Sequence, residues 1–345
     1  PEFSSGPGNG GDGGEEPSGP VCSLRSDLLI DSRAPDAIPA LTMPKVATAD
    51  APPSFLADSS RVVGVVVDGV ARAYPHNLFW YHEVVNDTVA GQPITVSLCP
   101  LTGSALAMES TVDGEQIEFG VSGLLFANNL VLFDRGSGDL YGPQLAVAGT
   151  CDRFRAVEPD LVAVRETTWG RWRSAYPGTT VLGEPEDFDR PYEKDPYGDY
   201  REPDNQNFVL DMPIDDSRPP KERVLGVRTS DNGGKGYPFG ELDAWGPVAA
   251  VNDRVEGTFV AVFYDRGEKV PVAAAYHPVV DDELMTFRVE DGVIRDEATG
   301  STWSVEGRAT DGPLAGQELE PVTEAWEAFW FAWRHFQPSS TVFTR

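Results

Sequence analysis

The segment W-G-R-W-R-S-A-Y-P-G-T-T-V, Trp169 to Val181, returns as W-F-A-W-R-H-F-Q-P-S-S-T-V, Trp330 to Val342. Trp, Trp, Arg, Pro, Thr and Val coincide without a gap. Upstream, R-V-V-G-V from Arg61 answers R-V-L-G-V from Arg223, Tyr74-Pro75 answers Tyr237-Pro238, and Asn86-Asp87 answers Asn252-Asp253. The chain reads as two copies of one unit, and its 345 residues are enough to bury two medium cores.

The organisation expected is a flexible tether over residues 1–20, a Pro-rich lead-in over 21–60 and a first repeat over 61–182. An acidic, Pro- and Tyr-rich connector follows over 183–222, then a second repeat over 223–345. The tether is dominated by Gly, Ser, Pro and acidic residues and has no apolar run to bury. Prolines in I-P-A-L-T-M-P-K deny the lead-in both helix and central strand. Val62 to Tyr74 predicts a hairpin turning at Asp68-Gly69, and Ile94–Leu98, Ala105–Ser110, Gln116–Val121 and Asn129–Phe133 predict further strands. Leu78–Val85 is helix-like, and a helix over Thr168–Ala175 stops before Pro177. Val322 to Phe336 sets Trp326, Phe329, Trp330, Trp333 and Phe336 at helical spacing and predicts a final helix with a core face. The fold class expected is α+β, mainly antiparallel β, each repeat closed by a Trp-bearing helix.

Several functions are excluded. A net charge of -28 repels phosphate backbones, so no nucleic-acid partner is expected. No Gly-rich phosphate loop and no strand–helix alternation occur, so no nucleotide cofactor is expected. No apolar run approaches the roughly 18–20 residues of a spanning helix. An acidic chain whose basic residues are mostly Arg, behind a Gly/Ser/Asp tether, has the composition of an exported or surface-tethered protein, or of one adapted to high salt. Of three cysteines, Cys22 and Cys151 can pair in an oxidising compartment and leave Cys99 as the free thiol; the alternative is three unpaired cysteines, two of them buried as small apolar residues.

The blocks A-R-A-Y-P-H-N-L-F-W-Y-H-E-V-V-N-D, V-S-L-C-P-L-T-G-S-A and F-G-V-S-G-L-L-F-A-N-N-L-V-L-F-D-R resemble domain-of-unknown-function family 3179, found in bacteria and archaea. D-P-Y-G-D-Y, P-K-E-R-V-L-G-V and F-W-F-A-W-R-H-F-Q-P look like the same family, from roughly residue 38 to the end. Some members carry C-P-L-C where this chain has Cys99-Pro100-Leu101-Thr102, which leaves room here for a single-thiol chemistry only. The resemblance implies a fold and supplies no activity.

The first copy holds His76, His82 and Cys99 between the shared anchors, and the second has no Cys or His in register. Aligned on Asn86-Asp87, His82 corresponds to Val248 and Cys99 to Asp265. A thiol opening a Pro/Gly/Ser turn is placed where backbone N–H groups lower its pKa. Three readings follow. Cys99, His82 and His76, with Met108 as a soft fourth group, suit copper or another soft transition metal. Alternatively Cys99 is a nucleophile, His82 its base, and Glu83 or Asn86 the orienter, in an acyl-transfer or hydrolytic enzyme. In the third, Cys99 and His82 are buried packing residues of a non-catalytic extracellular binding or structural module. The partner expected is a small molecule or a metal ion. The connector carboxylates Glu184, Glu186, Asp187 and Asp189 lack Ca²⁺-loop spacing, and Asn128-Asn129 reads as turn chemistry.

Overall fold

The computed structural model describes residues 22–230 and 232–345. The tether over residues 1–20 lies outside the described residues. Among the described residues the protein is mainly antiparallel β with four short α-helices: α1 (His76–His82), α2 (Trp169–Ala175), α3 (Phe239–Trp245) and α4 (Trp330–Phe336). No helix among the described residues is long and apolar enough to cross a membrane.

β-branched residues form the hairpin of Arg61–Val67 and Val70–Pro75, and Asp68 and Gly69 both take the left-handed conformation (φ 46° and 77°) that a tight hairpin turn demands. This hairpin lies in a sheet ordered Val164–Thr168, Arg61–Val67, Val70–Pro75, Thr180–Leu182, Val46–Thr48, in which only Thr180–Leu182 runs parallel to its hairpin neighbour. In the C-terminal half, Ala325–Phe329, Arg223–Arg228, Gly234–Pro238 and Thr341–Val342 form a sheet in which again only the last strand is parallel. Equivalent contacts hold each. Tyr74 Oη donates to Asp87 at 2.8 Å, and Tyr237 Oη to Asp253 at 2.9 Å. The Asn86 amide clasps the Phe119 backbone from both sides, as Asn252 does Phe287. Glycine is required at Gly64 and Gly226, where a Cβ would stand 2.3 Å from the Trp172 ring and 2.0 Å from the Trp333 ring.

Three expectations need correction. Residues 322–336 are not one helix: Ala325–Phe329 is a strand paired with Arg223–Arg228, and α4 starts only at Trp330. Every residue of that strand is buried, and a short apolar run carries no periodicity that separates strand from helix. The early helix covers His76–His82 and ends at Glu83, because Val84 already pairs with Ser97. The lead-in is also less irregular than its prolines suggest. Leu29–Asp31, Leu41–Thr42 and Val46–Thr48 each pair with a strand of the body. The connector forms no strand and packs through Tyr192, which is fully buried, and Tyr200.

The core is continuous across the halves. One apolar cluster joins Val63, Tyr74, Phe79 and Val96 to Val224, Trp326, Phe329 and Trp333. A disulfide links Cys22 to Cys151 and ties the lead-in to the first half.

Candidate functional site

Cys99 ends the strand Gln92–Cys99 and pairs with Ser104 across the Pro100–Gly103 turn. It is 1 % exposed, in an apolar cluster with Val84, Leu101, Met108, Phe119 and Leu130. The thiol donates to the Asn128 carbonyl at 3.7 Å. Burial, reinforced by the Glu83 carboxylate, pushes it up to about 11, outweighing the downward pull of Thr102 and the Leu130 backbone. The turn thus acts in the direction its residues suggest, but desolvation wins. At neutral pH Cys99 keeps its proton, the reverse of the lowered thiolate expected.

Glu83 sits beside it in the left-handed region (φ 58°) and closes α1 by donating its N–H to the Phe79 carbonyl at 3.0 Å. The residue is buried, and desolvation pushes its carboxyl up to about 8. The connector covers this corner with Tyr197 and Tyr200, and Tyr200 Oη donates to the Leu101 carbonyl at 3.0 Å.

His82 ends α1 with no exposed surface. Its Nδ1 lies 2.8 Å from the Pro39 carbonyl, which can only accept, so the proton is on Nδ1. Nε2, 2.8 Å from Tyr192 Oη, is then left to accept the phenol proton. Burial lowers the ring to about 4, so it is neutral with both nitrogens engaged. His76, at the other end of α1, places Nε2 3.0 Å from Glu166 Oε2, and burial takes it down to about 4 as well. The structure therefore brings Cys99 and Met108 into one cluster and gives His82 and His76 separate partners: a lead-in carbonyl with a connector tyrosine, and a carboxylate. Among the described residues no three His, Cys, Asp or Glu side chains group as a metal requires.

Two polar constellations escaped the sequence reading. Between the halves, Arg61 and Arg223 hold equivalent stations on their strands, opposite Thr168 and Phe329, while Glu166 and Glu327 lie opposite Val63 and Leu225. Arg61 reaches Glu327 at 2.6 Å and Glu166 at 3.3 Å, and Arg223 reaches Glu327 at 2.9 Å. Against burial, His76, Arg61 and Arg223 draw Glu166 down to about 2; burial pushes Glu327 up to about 7. The signal was present as R-V-V-G-V and R-V-L-G-V, whose arginines repeat along with the apolar framework. The second constellation is a buried network of Ser97, Thr102, Ser104, Asn129 and Gln144. Asn129 donates to Thr102 Oγ1 at 2.9 Å and accepts from the Leu145 N–H, and Asn128 exchanges two hydrogen bonds with the Leu210 backbone. These asparagines are more than turn residues: Asn129 ties its strand to the Pro100–Gly103 turn and to Leu145, and Asn128 ties the connector to the body.

A family model described as protein of unknown function (DUF3179) matches residues 35–340. No curated protein and no solved structure matches the chain.

Proposed function

Since this chain belongs to the DUF3179 family of proteins of unknown function, its activity has to be read from its own residues, and we propose that it is a non-catalytic binding or structural module. It is built as two copies of one β-rich unit and works outside the cytoplasm, at the cell surface or in the surrounding medium. The observation that carries this reading is the state of the two reactive side chains. Cys99 is a buried, protonated thiol, and both nitrogens of His82 are spent on Pro39 and Tyr192. A nucleophile needs an accessible thiolate with a base at hand, and a copper thiolate–imidazole site needs the imidazole lone pair free. The Cys22–Cys151 disulfide and the charge of -28 support the oxidising, extracellular setting. The recurrence of strand order, of the Tyr–Asp and Asn–backbone contacts and of the Gly–Trp contact supports the duplication.

Elemental analysis of protein purified without chelators, with a thiol count on the native chain, tests the reading. Substoichiometric metal and an unreactive Cys99 are expected. One equivalent of copper, lost in Cys99→Ser and in His82→Gln, would establish instead the site at Cys99, His82, His76 and Met108. A metal-free protein whose Cys99 is alkylated rapidly would establish the nucleophile.

A further inference from the structure

Residues 184–214 of the connector form no strand and hold one short helical turn, Gly198–Arg201. Among the described residues, their backbone bonds to the backbone of the body only where Pro203 accepts from the Lys221 N–H at 2.9 Å. The flanks on either side are pinned. Gly183 donates to the Lys45 carbonyl at 2.8 Å, and Pro220 accepts from the Phe331 N–H at 2.9 Å. Between these pins the fastenings are side chains. Asn77 donates to the Tyr192 carbonyl at 2.8 Å, Tyr81 Oη donates to the Pro191 and Lys194 carbonyls, and Asn128 exchanges its two hydrogen bonds with Leu210. The exposed Lys45–Glu186 ion pair adds little. Lys221, 1 % exposed, gathers four residues of the segment on one ammonium. Its Nζ donates to Asn205 Oδ1 at 2.8 Å and to the Asn207 carbonyl at 2.6 Å, and stands 3.3 Å and 4.9 Å from the ring centroids of Tyr200 and Phe208. The segment carries ten carboxylates against three basic residues on a chain of net charge -28, so it and the body repel each other.

We propose that residues 184–214 are a strap that lifts from the body as a unit and uncovers His82 and Cys99. A segment without a backbone ladder to its neighbours opens at a lower free energy than the sheets beneath it. What it covers includes both reactive side chains of the first half. Tyr192 Oη is the partner of His82 Nε2, and the Phe188 ring stands edge-on to the imidazole with 4.9 Å between centroids. Tyr197, Tyr200 and Val209 pack against the cluster that holds Cys99. Leu210 holds Asn128, whose carbonyl accepts from the thiol. Lifting the strap therefore frees the Nε2 lone pair of His82 and bares the thiol in one movement. Lys221 is a positioning residue, acting through Tyr200, Phe208, Asn205 and Asn207. The strap sets when His82 and Cys99 are reachable and not what they then bind, so its opening is independent of the binding-module reading.

Cys99 is the free thiol beside the Cys22–Cys151 disulfide, so its alkylation by iodoacetamide reads the opening. Alkylation of the whole chain is followed by mass spectrometry as urea is raised, alongside global unfolding by circular dichroism. Below the unfolding transition the rate should climb with urea on a slope well under that of global unfolding, because the strap uncovers only a small part of the buried surface. The amides of residues 184–214 should exchange with deuterium together, and sooner than those of Gln92–Cys99. Lys221→Met removes the ammonium and keeps most of the stem. It should raise the native alkylation rate about tenfold on an equally shallow slope, through the loss of charge-assisted and cation–π contacts. A slope equal to that of global unfolding, strap amides that exchange no sooner than that strand, or an unchanged rate in folded Lys221→Met overturns the proposal. If Lys221→Met does not fold, the wild-type slope and the order of exchange decide.

Discussion

Desolvation decides the chemistry of the individual residues near the turn at Cys99. Backbone and hydroxyl groups of the turn favour the thiolate, yet a thiol that is 1 % exposed keeps its proton, because desolvation outweighs them. Native Cys99 should therefore react with iodoacetamide at least about 100-fold more slowly than in denaturant, since both burial and the raised pKa suppress the thiolate. Equal rates in the two states, followed by mass spectrometry, would refute the buried placement. His82 and Glu83 are neighbours whose protons act in opposite directions. The His82 ring falls from 6.5 to about 4 on folding, so the folded state refuses a proton that the unfolded chain accepts. Its contribution to stability is present above pH 6.5 and is lost as pH falls toward 4. The stability gap between wild type and His82→Gln should therefore narrow across that window. Glu83 rises from 4.5 to about 8, so the folded state holds a proton that the unfolded chain releases. That contribution is present below pH 4.5 and is lost as pH rises through 8, so Glu83→Gln should gain on wild type most strongly above pH 8. Urea titrations at fixed ionic strength, from pH 4 to pH 9, measure both trends.

At the scale of elements, the tryptophan-bearing helices sit where a glycine on the adjoining strand lets them. The rings of Trp172 and Trp333 pack directly against Gly64 and Gly226, and both are fully buried. Neither ring can retreat from a new methyl group, so Gly64→Ala and Gly226→Ala should each cost more than about 1–3 kcal/mol, the usual range for overpacking. Chemical denaturation measures this, and a cost below 0.5 kcal/mol would mean that the helices can shift. Trp330→Ala should cost about 3–5 kcal/mol by the opposite route, a cavity. The R-V-V-G-V and R-V-L-G-V repeats made the glycines visible in the sequence. What they are for became visible only once each strand was paired and each ring placed. The final helix shows the converse. The spacing of Trp326, Phe329, Trp330 and Trp333 fitted a helix, but Ala325–Phe329, with Trp326 and Phe329 in it, runs as a strand because Arg223–Arg228 offers its backbone along that length.

At the scale of the whole molecule, the halves are joined by charge as much as by apolar contact. Arg61 ties Glu166 to Glu327, Arg171 meets Asp265 at 2.6 Å, and Thr167 donates to Glu306 at 2.9 Å. The lead-in closes over the first half through Cys22–Cys151, which spans 129 residues of chain. Replacing both cysteines with serine should lower stability by about 2–5 kcal/mol, because a long loop of the unfolded chain is released. Differential scanning calorimetry of the double variant tests this; an unchanged midpoint would mean that the lead-in is held by its strand pairings alone.

The sequence by itself determined the β-rich class, the repeated framework of Arg, Gly, Tyr, Asn, Asp and Trp, the hairpin at Asp68-Gly69 and the α2 boundary. All of these rest on local rules: turn chemistry, alternation and capping. The cysteine count left the Cys22–Cys151 pair open beside three free thiols, and the fold decided it by bringing the two together. Only the tertiary structure decided the state of Cys99, His82 and His76. Nothing local to W-Y-H-E announces that Pro39 and Tyr192, remote in sequence, would take both nitrogens of His82. Nothing near C-P-L-T-G-S announces how deeply the thiol would be desolvated. Protonation and availability are set by what the rest of the chain packs against a side chain, and that is a property of the folded whole.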